Sequence, residues 1–180
     1  MTDPSTSGSA ARADKGPGLP LPAREGEEVA FERTIPAQAQ KLHSRTRARI
    51  RAVDVLFEAD AKDQDVLEVL QARRERTAAQ TPLPSRAQEL VELYAPHAQD
   101  IDEDLATHAR DWPLHRMPAV DRAILRLGAA EALHATADAS ERGVIIGEYT
   151  KIAEVLSTDD SPRFVNGLLQ RLADLHGLLG

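Results

Sequence analysis

Four arginines fall within seven residues at Arg45-Thr46-Arg47-Ala48-Arg49-Ile50-Arg51, with no acid among them. On a helix Arg45 and Arg49 stand one turn apart, as do Arg47 and Arg51, so the guanidinium groups spread over two turns. Each can take two phosphate oxygens at once and keeps its proton at physiological pH. The chemistry on offer is phosphate binding; the plainer alternative is a solvated helix end paired with Asp54 and Glu58. A second concentration lies where Ser157-Thr158-Asp159-Asp160 leads into Ser161-Pro162-Arg163-Phe164-Val165-Asn166-Gly167. A helix N-terminus there presents free N–H groups and a positive dipole end, Arg163 adds a full charge, and Phe164 offers a stacking face to an unpaired base. Asp159 and Asp160 oppose an anion, and the alternative is a capped helix with Phe164 in the core.

Other chemistries find little support. Asp100-Ile101-Asp102-Glu103-Asp104 imitates the start of a calcium loop, but Leu105 stands where that loop needs Gly and Asp111 where it needs a bidentate Glu. The six histidines have no metal spacing; His97 and His108 share a helical face but lie roughly 16 Å apart along its axis. The chain has no Cys, which removes disulfides, thiolate-bound metals and cysteine nucleophiles. There is no phosphate loop, glycine-rich dinucleotide turn or nucleophile elbow. No catalytic residue, metal or cofactor is expected.

These residues need elements to hold them. The composition is 42% hydrophobic with only 3% aromatic residues, a balance of Ala, Leu and Val that favours helices. Residues 1–43 are rich in Pro, Gly, Ser and Ala, with scattered large apolar residues. They read as a disordered tail, with a short helix near 28–41 as one option. The tail holds five basic and six acidic residues of the chain's 22 and 29, so it is no basic arm. At a net charge of -7, any nucleic-acid binding must come from a local patch. From Ser44 onward apolar residues recur at helical spacing. Helices are expected over 44–61, 63–79, from Ser85 with Pro96 kinking or dividing it, from Pro118 as a first-turn proline, over 141–156, and from Ser161 as N-cap onward. Trp112 should close the third helix over the core. The reading is an all-α helical bundle over 44–180, with no apolar run or leader that implies a membrane, and hence a soluble, cytoplasmic protein.

Taken in order, Arg47-Ala48-Arg49 with Ala52-Val53-Asp54-Val55-Leu56-Phe57, Ile101-Asp102 with Trp112, Asp121-Arg122-Ala123-Ile124-Leu125-Arg126-Leu127, Ile146-Gly147-Glu148 and Ser161-Pro162-Arg163-Phe164-Val165-Asn166-Gly167-Leu168-Leu169 resemble the bacterial NusB antitermination family. The resemblance runs over about 44–176. It implies a compact bundle of six to seven helices in two packed halves and a non-enzymatic role. Such proteins bind the boxA element of ribosomal RNA leader transcripts with NusE, a small-subunit ribosomal protein, and join other Nus factors on RNA polymerase to suppress termination. Carried over, the resemblance puts Arg45, Arg47, Arg49 and Phe57 on the RNA face, Arg163 and Phe164 in a block that approaches RNA, and Asp121, Arg122 and Glu148 on the NusE side. Some family members self-associate, so a homodimer stays open. Gly147, Ala130 and Asp54 stand where the family commonly has Asn, Tyr and Gln, the last lowering the potential beside the arginines. Arg126 and Glu131 read as structural, in buried or half-buried ion pairs. Two rival readings are a helical protein-interaction adaptor without an RNA site and the RNA-binding domain of a ribosomal RNA methyltransferase, for which no residues remain after 180.

Overall fold

The computed structural model describes residues 42–76, 82–109, 112–136 and 138–179. The tail and the helix near 28–41 lie outside the described residues. Among those described there are seven α-helices and no strand: α1 Ser44–Lys62, α2 Val66–Arg76, α3 Ser85–Tyr94, α4 Ala98–His108, α5 Ala119–His134, α6 Ala139–Leu156 and α7 Ser161–Leu179.

Local chemistry sets most boundaries. α1 stops where Asp63 turns left-handed, at φ 52°, and its N–H returns to the carbonyls of Ala59 and Asp60. α2 starts later than the apolar pattern suggests, because Asp65 is its cap: its Oδ1 accepts from the amides of Leu67 at 2.8 Å and Glu68 at 3.2 Å. It is described to Arg76; residues 77–79, expected to continue it, lie outside the described residues. Pro96 divides rather than kinks the third helix, with a 3-10 turn Ala95–His97 separating α3 from α4. The acidic run at Asp100 is therefore helical, not a calcium loop. Pro118 stands one residue ahead of α5 rather than inside it, with its carbonyl accepting from the Arg122 amide at 3.1 Å. α6 begins two residues earlier than expected because Asp138 accepts from the amides of Ser140 and Glu141. Ser161 is already helical, and its hydroxyl turns inward to Asp121 at 2.8 Å instead of capping.

α5 is the central element. Ile124, Leu125 and Leu127 are each fully buried although they point to different sides, as in a helix surrounded by others. α1, α2 and α3 pack together on one side of it, α6 and α7 pair on the other, and α4 lies against α5 and α7. Close approach is possible because Gly128 has no side chain: a Cβ there would stand 2.8 Å from Leu169 Cδ1 and 3.1 Å from Tyr149 Cγ. Ion pairs lock the helices at one end. Arg126 grips Asp102 through Nε at 2.8 Å and Nη2 at 2.7 Å, and Asp60 through Nη1 at 2.8 Å. Arg122 adds Asp60 at 2.6 Å. Burial alone would raise the Asp60 pKa, but hydrogen bonds from Arg122 and Arg126 hold it below the usual carboxylate value.

Two outcomes follow. Gly128→Ala should lower the unfolding free energy by about 1 kcal/mol, overpacking against immobile neighbours outweighing the gain in helix propensity, seen as a lower melting temperature. Buried Glu58 accepts from Lys62 and Arg73, each at 2.6 Å. Burial pushes its pKa up, yet these bonds bring it below the ordinary 4.5. A depressed carboxyl stabilises the fold above its unfolded pKa, and that stability is lost as pH falls through the folded value. Denaturant melts of Glu58→Gln should therefore fall well below wild type at neutral pH and converge on it as pH drops below 4.5.

Candidate nucleic-acid interface

The N-terminal half of α1 divides its arginines between surface and interior. Arg45 and Arg47 are exposed, and Arg47 donates to the Leu42 carbonyl at 2.8 Å. Arg49 does not join them. Its Nε and Nη2 donate to the two Glu131 oxygens at 2.9 and 2.6 Å, and its side chain is only 11% exposed. A buried carboxylate on α5 claims Arg49, since an unpaired Glu131 would cost far more than a solvated arginine gains.

Glu131 also accepts from the Tyr149 hydroxyl at 2.8 Å and from Arg86 Nη2 at 3.0 Å. Burial, together with the adjacent Glu131 charge, pushes the Tyr149 hydroxyl well above its ordinary pKa of 10.0, so it stays a donor. Beside this knot Glu148 accepts from Thr46 at 2.5 Å and Lys151 at 2.9 Å. The Thr46 hydrogen bond is the main reason its pKa lies below the ordinary carboxylate value, with Lys151 helping and partial burial opposing. Glu148, 20% exposed, thus faces α1 and holds its first turn. Asp54 is buried rather than lying beside the exposed arginines, and Glu58 is held by Lys62 and Arg73.

The second candidate region is built as an open groove of about 430 Å³ lined by His108, Asp160, Arg163, Phe164, Gly167 and Arg171. Arg163 is exposed and Phe164 half-buried. Trp112, half-buried at the end of α4, meets the Phe164 ring edge-on with centroids 5.3 Å apart, so one edge of Phe164 is fixed from behind. Arg171 donates to the His108 carbonyl at 3.0 Å, tying α7 to α4 across the groove. Cation and aromatic side chains thus converge there, with Asp160 as the one acid among the described lining residues.

Of the other sequence candidates, Phe57 packs half-buried against the core. Asp121, expected on the NusE side, has no exposed surface; its Oδ2 accepts from Ser161, so it fixes the start of α7. Arg122 donates to Asp60 and, at 2.6 Å, to the Met117 carbonyl; it braces α5 rather than presenting a free partner-facing cation. Arg86, Lys151 and Arg171 went unnoticed in the sequence, and His108 was weighed there only as a metal ligand. They are single polar residues in otherwise ordinary helices, and no local spacing marks them.

Exposed Arg45 and Arg47 at one end of α1 and the cation-and-aromatic groove on α7 are carried by a domain that is all-helical among the described residues, the architecture of a small helical binding protein. The NusB family model matches residues 46–174. The chain is 48% identical over 132 residues to the transcription antitermination protein NusB of Kineococcus radiotolerans, covering 73% of this chain and 94% of that protein. It is 47% identical over 135 residues to the namesake of Streptomyces griseus, covering 73% and 93%. Among solved structures, T. maritima NusB matches with a TM-score of 0.61 at 28% identity, over 75% of this chain and 94% of that one. A complex described as antitermination factors NusB and NusE with dsRNA matches with a TM-score of 0.60 at 24% identity, over 74% and 99%. The chain belongs to the NusB family, whose members are RNA-binding antitermination factors and not enzymes.

The division of the arginines is testable by urea denaturation. Arg49→Ala should cost about 3 kcal/mol, as expected when one partner of a buried ion pair is removed. Arg45→Ala should change stability by less than about 0.5 kcal/mol; a comparable loss in both would show that the two arginines play the same role.

Proposed function

We propose that this protein is a cytoplasmic antitermination factor that binds the single-stranded boxA element of ribosomal RNA leader transcripts together with NusE, and enters the larger complex of Nus factors and RNA polymerase. The observations that carry the reading are the exposed Arg45 and Arg47 on α1 and, separately, the groove that Arg163 and Phe164 line on α7. Arginines at such positions hold backbone phosphates, while a ring edge or face meets an unstacked base; that division of labour is how single-stranded RNA is recognised. The structural neighbour described as NusB and NusE in complex with dsRNA shares this fold, the fold on which that protein meets both partners. Glu148, at the surface beside Lys151, remains the candidate for a contact on the NusE side.

The test is a salt-dependent titration of a boxA-type single-stranded RNA with and without NusE. Contacts to about four phosphates give a log-affinity slope near -3 against log salt, at roughly -0.7 per contact. Affinity should rise with NusE and fall in the Arg45→Ala, Arg47→Ala double variant and in Arg163→Ala, with melting temperatures unchanged. If NusE binds while RNA does not, the protein is a helical adaptor instead.

A further inference from the structure

With Arg49 withdrawn into the interior, the α1 surface is short of one phosphate ligand, and the side chain that reaches the same place comes from another helix. Arg86 lies in the first turn of α3. Its Nη2 donates at 3.0 Å to Glu131 Oε1, the same oxygen that takes Arg49 Nη2 at 2.6 Å. Two guanidinium groups therefore meet on one buried carboxylate, with Glu148 Oε2 3.9 Å from Arg49 Nη1 as a second acid on the Arg49 side. Unlike Arg49, Arg86 is 45% exposed. Its Nη1 leans on Glu89 at 3.2 Å, an i,i+3 surface pair with Glu89 itself 59% exposed, and such pairs are weak and screened by salt. One edge of the guanidinium is thus pinned by an acid that water cannot reach, and the other is held only by an acid that an anion can displace.

Resting on the RNA reading above, we infer that Arg86 supplies the phosphate contact that the sequence assigns to Arg49, so that the RNA surface extends from α1 across to α3. An arginine already fixed by Glu131 loses little side-chain freedom on binding, and its fork matches phosphate geometry where a flexible lysine would not. Lys151 on α6 is 60% exposed and is held by Glu148. Glu89 is then a competitor: it occupies the donors that a phosphate would take.

Fluorescence anisotropy of a short labelled single-stranded RNA, titrated with the full chain over a salt series, tests this. Arg86→Gln should bind about three- to tenfold more weakly, with a log–log salt slope shallower by about 0.7. Arg86→Lys should restore the slope but not the full affinity. Glu89→Gln should bind more tightly than wild type, and by more than Glu68→Gln, the removal of an exposed acid on α2. Glu131 keeps Arg49 and Tyr149 in Arg86→Gln, so its circular-dichroism melt should stay cooperative; if it does not, the Glu89→Gln result decides. Wild-type affinity and slope in Arg86→Gln, or no gain in Glu89→Gln beyond that of Glu68→Gln, overturns the inference while leaving the RNA reading intact. Absence of salt-dependent RNA binding by the wild-type chain, with or without NusE, overturns the reading itself.

Discussion

Glu131 is a full negative charge 1% exposed to water in the middle of a helical protein, and much of the architecture around it is what makes that tolerable. A buried carboxylate is stable only if its oxygens are filled by donors, preferably charged ones. Here α1 sends Arg49, α3 sends Arg86 and α6 sends Tyr149. Four helices are therefore registered against one another at a single point, α5 holding the acid and the other three its donors. Apolar packing fixes that these helices come together, but apolar contact is non-directional and permits sliding. The hydrogen-bonded charge does not.

A second network at the other end of α1 works in the same way with the signs reversed. There α5 carries the cations, Arg122 and Arg126, while α1 and α4 carry the acids, Asp60 and Asp102. α5 is thus clamped along its length, through a carboxylate near its C-terminus and guanidinium groups nearer its start. Between them Gly128 lets Leu169 and Tyr149 close on the helix. Arg45 and Arg163 stand exposed at the rim of this scaffold, while Arg86 is divided between interior Glu131 and surface Glu89, so a change in that interior acid alters the surface charge as well as stability.

Much of the fold was legible from local pattern. Pro96 had to interrupt a helix because it lacks an N–H, and it does. Apolar residues at helical spacing predicted the helices near their observed positions, since periodicity reports which face is buried. Boundaries shifted by a few residues where an aspartate cap, Asp65 or Asp138, overrode the apolar count. Trp112 lies past the last residue of α4 rather than on the helix, half-buried against the core, and its ring backs Phe164.

The site was legible as residue types but not as individual roles. Sequence by itself determined an all-helical domain, a local run of arginines in an acidic chain, and an aromatic residue beside Arg163 at a helix start, because those follow from composition and short-range spacing. Which arginine faces solvent was decided by tertiary structure. The acid that claims Arg49 lies 82 residues away, and the arginine that shares it is 45 residues from that acid. Asp121 likewise is buried because the Ser161 hydroxyl, 40 residues on, closes over it. Local spacing records what neighbours on one helix can do, whereas the sharing of a buried charge is settled only when distant helices meet.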